Sequence, residues 1–281
     1  PAAVPEAPIF TQAAVRSIRL FGRLYEAGVG LEINLRTHRP LREREMAVRL
    51  LRAGKLRLLP DRAGRVARRP APAGAIAYYT GCALHASARE YDASTRAVAA
   101  ALGLQFREIE GWRCCGATAA HQSSHQLAVD LPLANLTLAA RGGYSTVTAP
   151  CVACFSRLRH AQVDAPDRVP PGLRVQHLLH TLLEGGTDPI SSRVTRPLRG
   201  LRVACYYGCL LTRPPGVTGA AHPENPSEME TLIEALGAEP VAWSYKTECC
   251  GAAHALVRPD LVVELIGRIL RDARAAGAEA L

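Results

Sequence analysis

Nine cysteines are the residues of this 281-residue chain best suited to chemistry, and eight of them fall into two copies of one pattern. Arg113-Cys114-Cys115-Gly116 and Glu248-Cys249-Cys250-Gly251 are vicinal cysteine pairs, each followed by glycine, 135 residues apart (249 minus 114). A tyrosine-bearing turn precedes each pair, Tyr78-Tyr79-Thr80-Gly81-Cys82 and then Tyr206-Tyr207-Gly208-Cys209. Cys151-Val152-Ala153-Cys154, a CxxC, follows the first pair. Thirty-one residues separate Cys82 from Cys114 and 35 separate Cys115 from Cys151, while 39 separate Cys209 from Cys249. The same step from Cys250 would put the next cysteine near position 286, so a CxxC beyond Leu281 is the expected completion of the second copy.

Five thiols in one copy exceed the four that satisfy a tetrahedral zinc ion. Two adjacent cysteines hardly bind one ion with good geometry, but they reach different irons of an iron–sulfur cluster, or bridge two. Glycine after each pair removes a Cβ and lets backbone N–H groups approach the sulfurs, which tunes potential. Two alternatives stay open: a four-cysteine zinc site in one or both halves, and a metal-free catalytic dithiol. Against the dithiol stands the strain of a vicinal disulfide.

The ninth cysteine, Cys205, reads as a buried small hydrophobe or as a further ligand. His121 and His254 follow their pairs by six and four residues. Each is a candidate proton donor to a nascent thiolate or a hydrogen-bond partner of cluster sulfur, with a structural histidine as the plain alternative. Lys246, just before the second pair, is a candidate for holding a substrate carboxylate or phosphate, or else a surface lysine; Arg213 beside Pro214 could line the same entrance.

Composition narrows the class. Hydrophobic residues make up 48% and charged residues 21%, an ordinary globular balance. No run of ~18 or more apolar residues occurs, so no membrane span is expected. Net charge is +9, but aromatic residues are only 5% and no recognition motif interleaves with the arginines, so nucleic acid is not an expected partner. The basic surface is solvated or docks acidic proteins. An odd number of cysteines clustered as CC and CxxC speaks for metal in a reducing, cytoplasmic compartment rather than a secreted disulfide framework.

Residues 1–60 read as a short helical segment with helices near 10–26 and 41–53, and 61–74 as a proline- and arginine-rich linker. From 75 onward strands and helices alternate, which implies a parallel α/β sheet. Expected strands are 75–79, 106–109 and 146–149, then 201–206 and 240–243. Expected helices are 88–102, 125–140, 175–184, 227–236 with Ser227 as N-cap, and 261–275; residues 185–199 read as a polar loop. The cysteines then fall at or beyond the C-terminal ends of strands, where open α/β sheets assemble sites. The fold class is α/β: two pseudo-repeated domains with parallel strands and flanking helices, residues 75–199 and 200–281, after the helical segment.

The doubled C-x31-CCG-x34-CxxC arrangement resembles the CCG-domain family, especially the B-type subunits of heterodisulfide reductase. The likeness is strongest in residues 204–214 (ACYYGCLLTRP), 223–226 (PENP) and 243–252 (WSYKTECCGA), and covers about three quarters of the chain. Residues 10–60 are similar to the helical end of the partner C-type subunits, which suggests a fused C–B polypeptide without the ferredoxin part. The resemblance implies a noncubane [4Fe–4S] cluster on Cys82, Cys114, Cys115, Cys151 and Cys154, and a second on Cys209, Cys249 and Cys250 with two ligands outside this sequence. It implies an oxidoreductase component that cleaves or forms a disulfide between the two clusters. Implied partners are a flavin-containing protein like the A-type component of heterodisulfide reductase, and ferredoxin-type carriers. Together these would form a large hetero-oligomer, at the membrane only through partners. The alternative within the same family is an electron-transfer component of a glycolate, lactate or succinate oxidoreductase that relays electrons to a quinone or other carrier.

Overall fold

The computed structural model describes residues 71–117, 120, 124–255 and 257–281; the expected N-terminal helices, linker residues 61–70 and His121 lie outside the described residues. Four short strands, β1 (Ile76–Tyr78), β2 (Phe106–Glu108), β3 (Thr146–Ala149) and β4 (Arg174–His177), pair in parallel in the order β2-β1-β3-β4. Parallel neighbours require crossovers, and helices supply them. These are α1 (Gly81–His85) and α2 (Arg89–Ala101), then α3 (His125–Arg141), then α4 (Val152–Asp164), with α5 (Leu178–Leu183) after β4. Ala77 and every residue of β3 are buried, as a sheet covered on both faces demands.

α3 illustrates how the sequence builds these crossovers. Ser124 caps it by accepting a hydrogen bond from the Leu127 N–H at 3.3 Å. Ala128, Val129, Pro132, Leu133, Leu136 and Ala139 form its buried stripe at helical spacing, and Gly142 and Gly143 follow its end. Pro132 inside the helix lacks an N–H, which frees the carbonyl of Ala128.

The second repeat is built on β5 (Arg202–Val203) and β6 (Glu239–Pro240), again parallel. Ala280 bridges Val203 on the other side, so β5 has neighbours on both flanks as β1 has. Between the repeats lies a single turn, α6 (Asp188–Ser191); within the second repeat come α7 (Gly208–Thr212), α8 (Pro215–Thr218), α9 (Glu228–Ala235) and α10 (Pro259–Ala275). Part of the second repeat joins the core of the first, while Ala204, Trp243, Ile269 and Ala273 form a smaller core of their own. Cys205, Tyr207 and Leu211 of the second pack with Phe155 and Leu158 of the first, and Arg159 on α4 donates to the carbonyl of Val217 on α8 at 2.7 Å.

The strands read at 201–206 and 240–243 are only Arg202–Val203 and Glu239–Pro240, and four further readings of the sequence need correction. Residues 175–184 are not one helix: Arg174–His177 is a strand, and the helix starts at Leu178. Val175, Leu178, Leu179 and Leu182 mimic one helical face, but pairing with β3 claims the first part. α4 was not anticipated. Its buried residues, Cys154 through Leu158 and Ala161, wrap most of its circumference and leave no single apolar stripe. The 185–199 loop contains α6. Ser227 precedes α9 but its side chain caps nothing; its N–H donates to the Glu228 carboxylate at 3.1 Å instead.

Candidate metal centre

Because the strands are parallel, the C-terminal ends of β1, β2 and β3 open onto one edge, and the three cysteine-bearing segments meet there. Cys82 lies in α1 just after β1, Cys114 and Cys115 in the loop after β2, and Cys151 at the N-cap of α4 with Cys154 in its first turn. The five thiols gather as a string of neighbours whose proton affinities are linked, Cys82 to Cys114 to Cys115 to Cys154 to Cys151. Cys115 Sγ and Cys154 Sγ are 3.4 Å apart. Cys82 and Cys114 are exposed, Cys151 is half-buried, and Cys115 and Cys154 are buried, so the string runs from the surface into the core.

Protons are unevenly shared along it. Hydrogen bonds from Cys115 and Cys82 hold the Cys114 thiol down at about 2. A bond from Cys154, helped by amides at the start of α4, lowers Cys151 to about 6. Cys82 and Cys154 are driven well above the usual thiol range by the neighbours they donate to, and Cys115 rises to about 11 through Cys114. Cys114 and Cys151 are thus the thiols that lose their protons most readily, while their neighbours Cys82, Cys115 and Cys154 hold theirs.

The vicinal pair is clamped from behind. Tyr79, fully buried, donates its hydroxyl proton to the Arg113 carbonyl at 2.6 Å. Asn135 on α3, also fully buried, accepts from the Arg113 N–H at 2.8 Å and donates to the Arg113 carbonyl at 3.0 Å. Gly116 has φ +74°, its N–H faces Cys114 Sγ at 3.4 Å, and a Cβ there would lie 2.8 Å from Leu131 Cδ1. At Gly81 a Cβ would come within 2.8 Å of Cys154 Sγ, so a side chain has no room beside the thiols. The tyrosine turn was visible in the sequence without its role. Asn135 was missed, and its signal was a lone amide in the apolar stripe of α3.

The second repeat reproduces the tyrosine and glycine parts of the clamp. Tyr206 donates to the Glu248 carbonyl at 2.6 Å, and the Gly251 N–H faces Cys249 Sγ at 3.3 Å. Cys209 and Cys250 are half-buried and Cys249 is exposed; burial and then the Cys249 charge raise the Cys209 thiol. Cys205 is buried in the core, and its carbonyl accepts from Trp243 Nε1 at 3.1 Å. Lys246 Nζ donates to Glu230 at 2.6 Å, the Pro226 carbonyl at 2.9 Å and Asn225 at 3.2 Å, so all three ammonium protons are engaged within the fold. Arg213 pairs with Glu224, and His254 is exposed in the turn that follows Gly251.

The family described as CCG: Cysteine-rich domain matches residues 76–159 and 203–281, more than half of the chain. The chain belongs to the CCG cysteine-rich domain family. The chain is 33% identical over 191 residues to the 8-methylmenaquinol:fumarate reductase membrane anchor subunit of Wolinella succinogenes, with 63% of this chain and 66% of that protein covered. It is 27% identical over 199 residues to the B subunit of the ferredoxin/F(420)H(2)-dependent CoB-CoM heterodisulfide reductase of Methanosarcina acetivorans, covering 63% and 65%. A protein of Archaeoglobus profundus, described as like the heterodisulfide reductase B subunit, is 25% identical over 194 residues, covering 62% and 64%. The chain spans just under two thirds of the length of these curated relatives.

The donor set around the first CCG loop suits an iron–sulfur cluster. Sulfur is the only ligand type in the string, and five thiols outnumber the sites on one tetrahedral ion. Among the described residues, no group of three or more His, Cys, Asp or Glu is arranged to hold a metal ion as it stands.

Proposed function

We propose that this chain is an iron–sulfur electron-transfer subunit of a multi-subunit oxidoreductase. Residues 75–199 form the first CCG domain and 200–281 belong to the second. Cys82, Cys114, Cys115, Cys151 and Cys154 bind a noncubane [4Fe–4S] cluster, and Cys209, Cys249 and Cys250 contribute to a second. The string of five thiols at one sheet edge carries this reading. When bound, the cluster supplies one-electron transfer. Cys114 and Cys151, whose thiols are lowered by their neighbours, stand ready as ligands, and the Gly116 and Gly251 amides donate toward the sulfurs. The Tyr79–Asn135 clamp fixes the loop against movement between redox states, which keeps reorganisation small. Exposed Cys82 and Cys114 face the electron partner.

The identity to a protein named for quinol:fumarate reductase favours relay between a partner enzyme and a quinone pool. No helix among the described residues is long and apolar enough to cross a membrane, so membrane association through partners fits that relay. Disulfide reduction is the second reading, favoured by the relatives named for the heterodisulfide reductase B subunit and by the doubled clamp. In it, His254 beside the second CCG loop delivers a proton to a departing thiolate, and a flavin-bearing partner supplies electrons.

Iron, acid-labile sulfide and zinc per chain on anaerobically purified protein test the proposal. Roughly four to eight irons with matching sulfide and little zinc are expected; zinc without sulfide would overturn it. Oxidation with a thiol-derived disulfide then separates the two readings. A thiol-dependent paramagnetic signal assigns disulfide chemistry, and its absence with an intact cluster assigns relay.

A further inference from the structure

α4 carries a charge that the thiol site leaves unexplained. Arg157 stands one helical turn after Cys154 and is 8% exposed. Its Nη2 donates to the Ala128 carbonyl at 2.9 Å, the acceptor freed by Pro132 in α3. Its Nε has no hydrogen-bond partner among the described residues, and no carboxylate there forms an ion pair with it. A guanidinium cannot shed its proton to escape burial, so it stays charged in the interior. An uncompensated buried cation is strongly unfavourable and calls for an anionic partner. Burial penalises the Arg157 charge, and Asp164 and Cys115 are the groups that support it.

We infer that Arg157 is the counter-charge of an anionic cluster on the first CCG loop, raising its midpoint potential by stabilising the reduced state. The inference rests on the cluster reading above. α3 and α4, which hold Arg157 between them, also position the thiols. Asn135 of α3 fixes Arg113, and α4 begins with Cys151 and Cys154. Reduction adds an electron to a centre that already carries net negative charge, so a nearby fixed cation favours it; net charge is one of the terms that set such potentials. Arg157 acts here as a positioning charge and touches no substrate.

A purely structural role would consist of donating to the Ala128 carbonyl, and the test separates the two. Full-length wild type, R157Q, R157K, P132A and the double variant P132A/R157Q are purified anaerobically. Iron and sulfide are counted, and the midpoint potential is read by redox titration followed by EPR. R157Q keeps an N–H donor and loses the charge, so it should retain the cluster with a more negative potential. R157K keeps the charge and should stay near wild type. P132A restores the helix's own donor and should leave the potential unchanged. Should R157Q fail to fold, the double variant satisfies Ala128 from within α3 and should show the same negative shift. A wild-type potential in R157Q or in the double variant, or an equal shift in R157K, would overturn the inference while leaving the cluster in place. Wild type without iron and sulfide would overturn both this inference and the functional reading beneath it.

Discussion

The two CCG repeats agree in their loops and differ in what lies behind them. Tyr79 and Tyr206 make the same bond to the carbonyl before their cysteine pairs, at 2.6 Å in each. α3 and α10 are both 17 residues long, and the seventh residue of each, Leu131 and Leu265, would meet a Cβ on the loop glycine at 2.8 Å. The eleventh residues part company: Asn135 in α3 grips Arg113, whereas Ile269 in α10 is buried among Ala204, Trp243 and Ala273. Tyrosine hydroxyl and glycine amide are therefore the shared requirement for presenting two adjacent thiols. The amide grip and the deeper core belong to the first repeat, where Cys115 is buried and Cys250 only half-buried.

The largest effect that could break this comparison comes from a single ligand. Cys114→Ser is expected to remove about four irons per chain, one cluster's worth, and to leave the second site's signal in place. Loss of all iron would mean that the repeats do not load independently.

Asn135→Ala should cost roughly 3–4 kcal/mol in chemical denaturation, because it strands the Arg113 N–H and weakens its carbonyl's pairing in a buried setting. A loss under ~1 kcal/mol would show that Tyr79 alone suffices, as Tyr206 does in the second repeat.

Acid should strike the first repeat through His177. Burial lowers its pKa from 6.5 to about 4; its Nδ1 accepts from the Leu179 N–H at 3.3 Å and its Nε2–H donates to the Pro150 carbonyl at 2.9 Å. The neutral ring is the one the fold needs. The unfolded chain takes up the proton first, so full stability holds above pH 6.5 and falls as pH drops toward 4, by about 3 kcal/mol. Urea melts at pH 7 and 4.5 check this, and His177→Gln should flatten the difference.

Smallest is the matched pair Tyr79→Phe and Tyr206→Phe, expected at about 1–2 and about 0.5–1 kcal/mol, since Tyr79 is fully buried and Tyr206 half-buried. Equal losses would remove depth of burial from the comparison.

Much of this was legible because thiol spacing and strand texture are local signals. β3 spans the residues read from the sequence, and β1, β2 and α3 agree within a residue or two at each end. What stayed hidden depends on partners distant in the chain. β4 is a strand only because β3 lies beside it, and α4 loses its periodicity because neighbours cover most of its surface. β5 is only two residues long, with the Ala204 N–H carrying the pairing one step further to the Ala280 carbonyl at 2.9 Å. Lys246 looked available as a lone lysine near the site; Glu230, 16 residues away, captures it.

The central place of β1 bears on the order in which the molecule can be assembled. Cys82 follows the inner strand, Cys114 and Cys115 follow the strand on one flank, and Cys151 follows the strand on the other. The thiols meet only after both long crossovers have closed, and closing such distant parallel pairings is the slow, entropically costly part of folding. On the iron–sulfur proposal, metal loading would therefore be a late event, and a chain that had taken up iron and sulfide would already have passed the hardest step of its own folding.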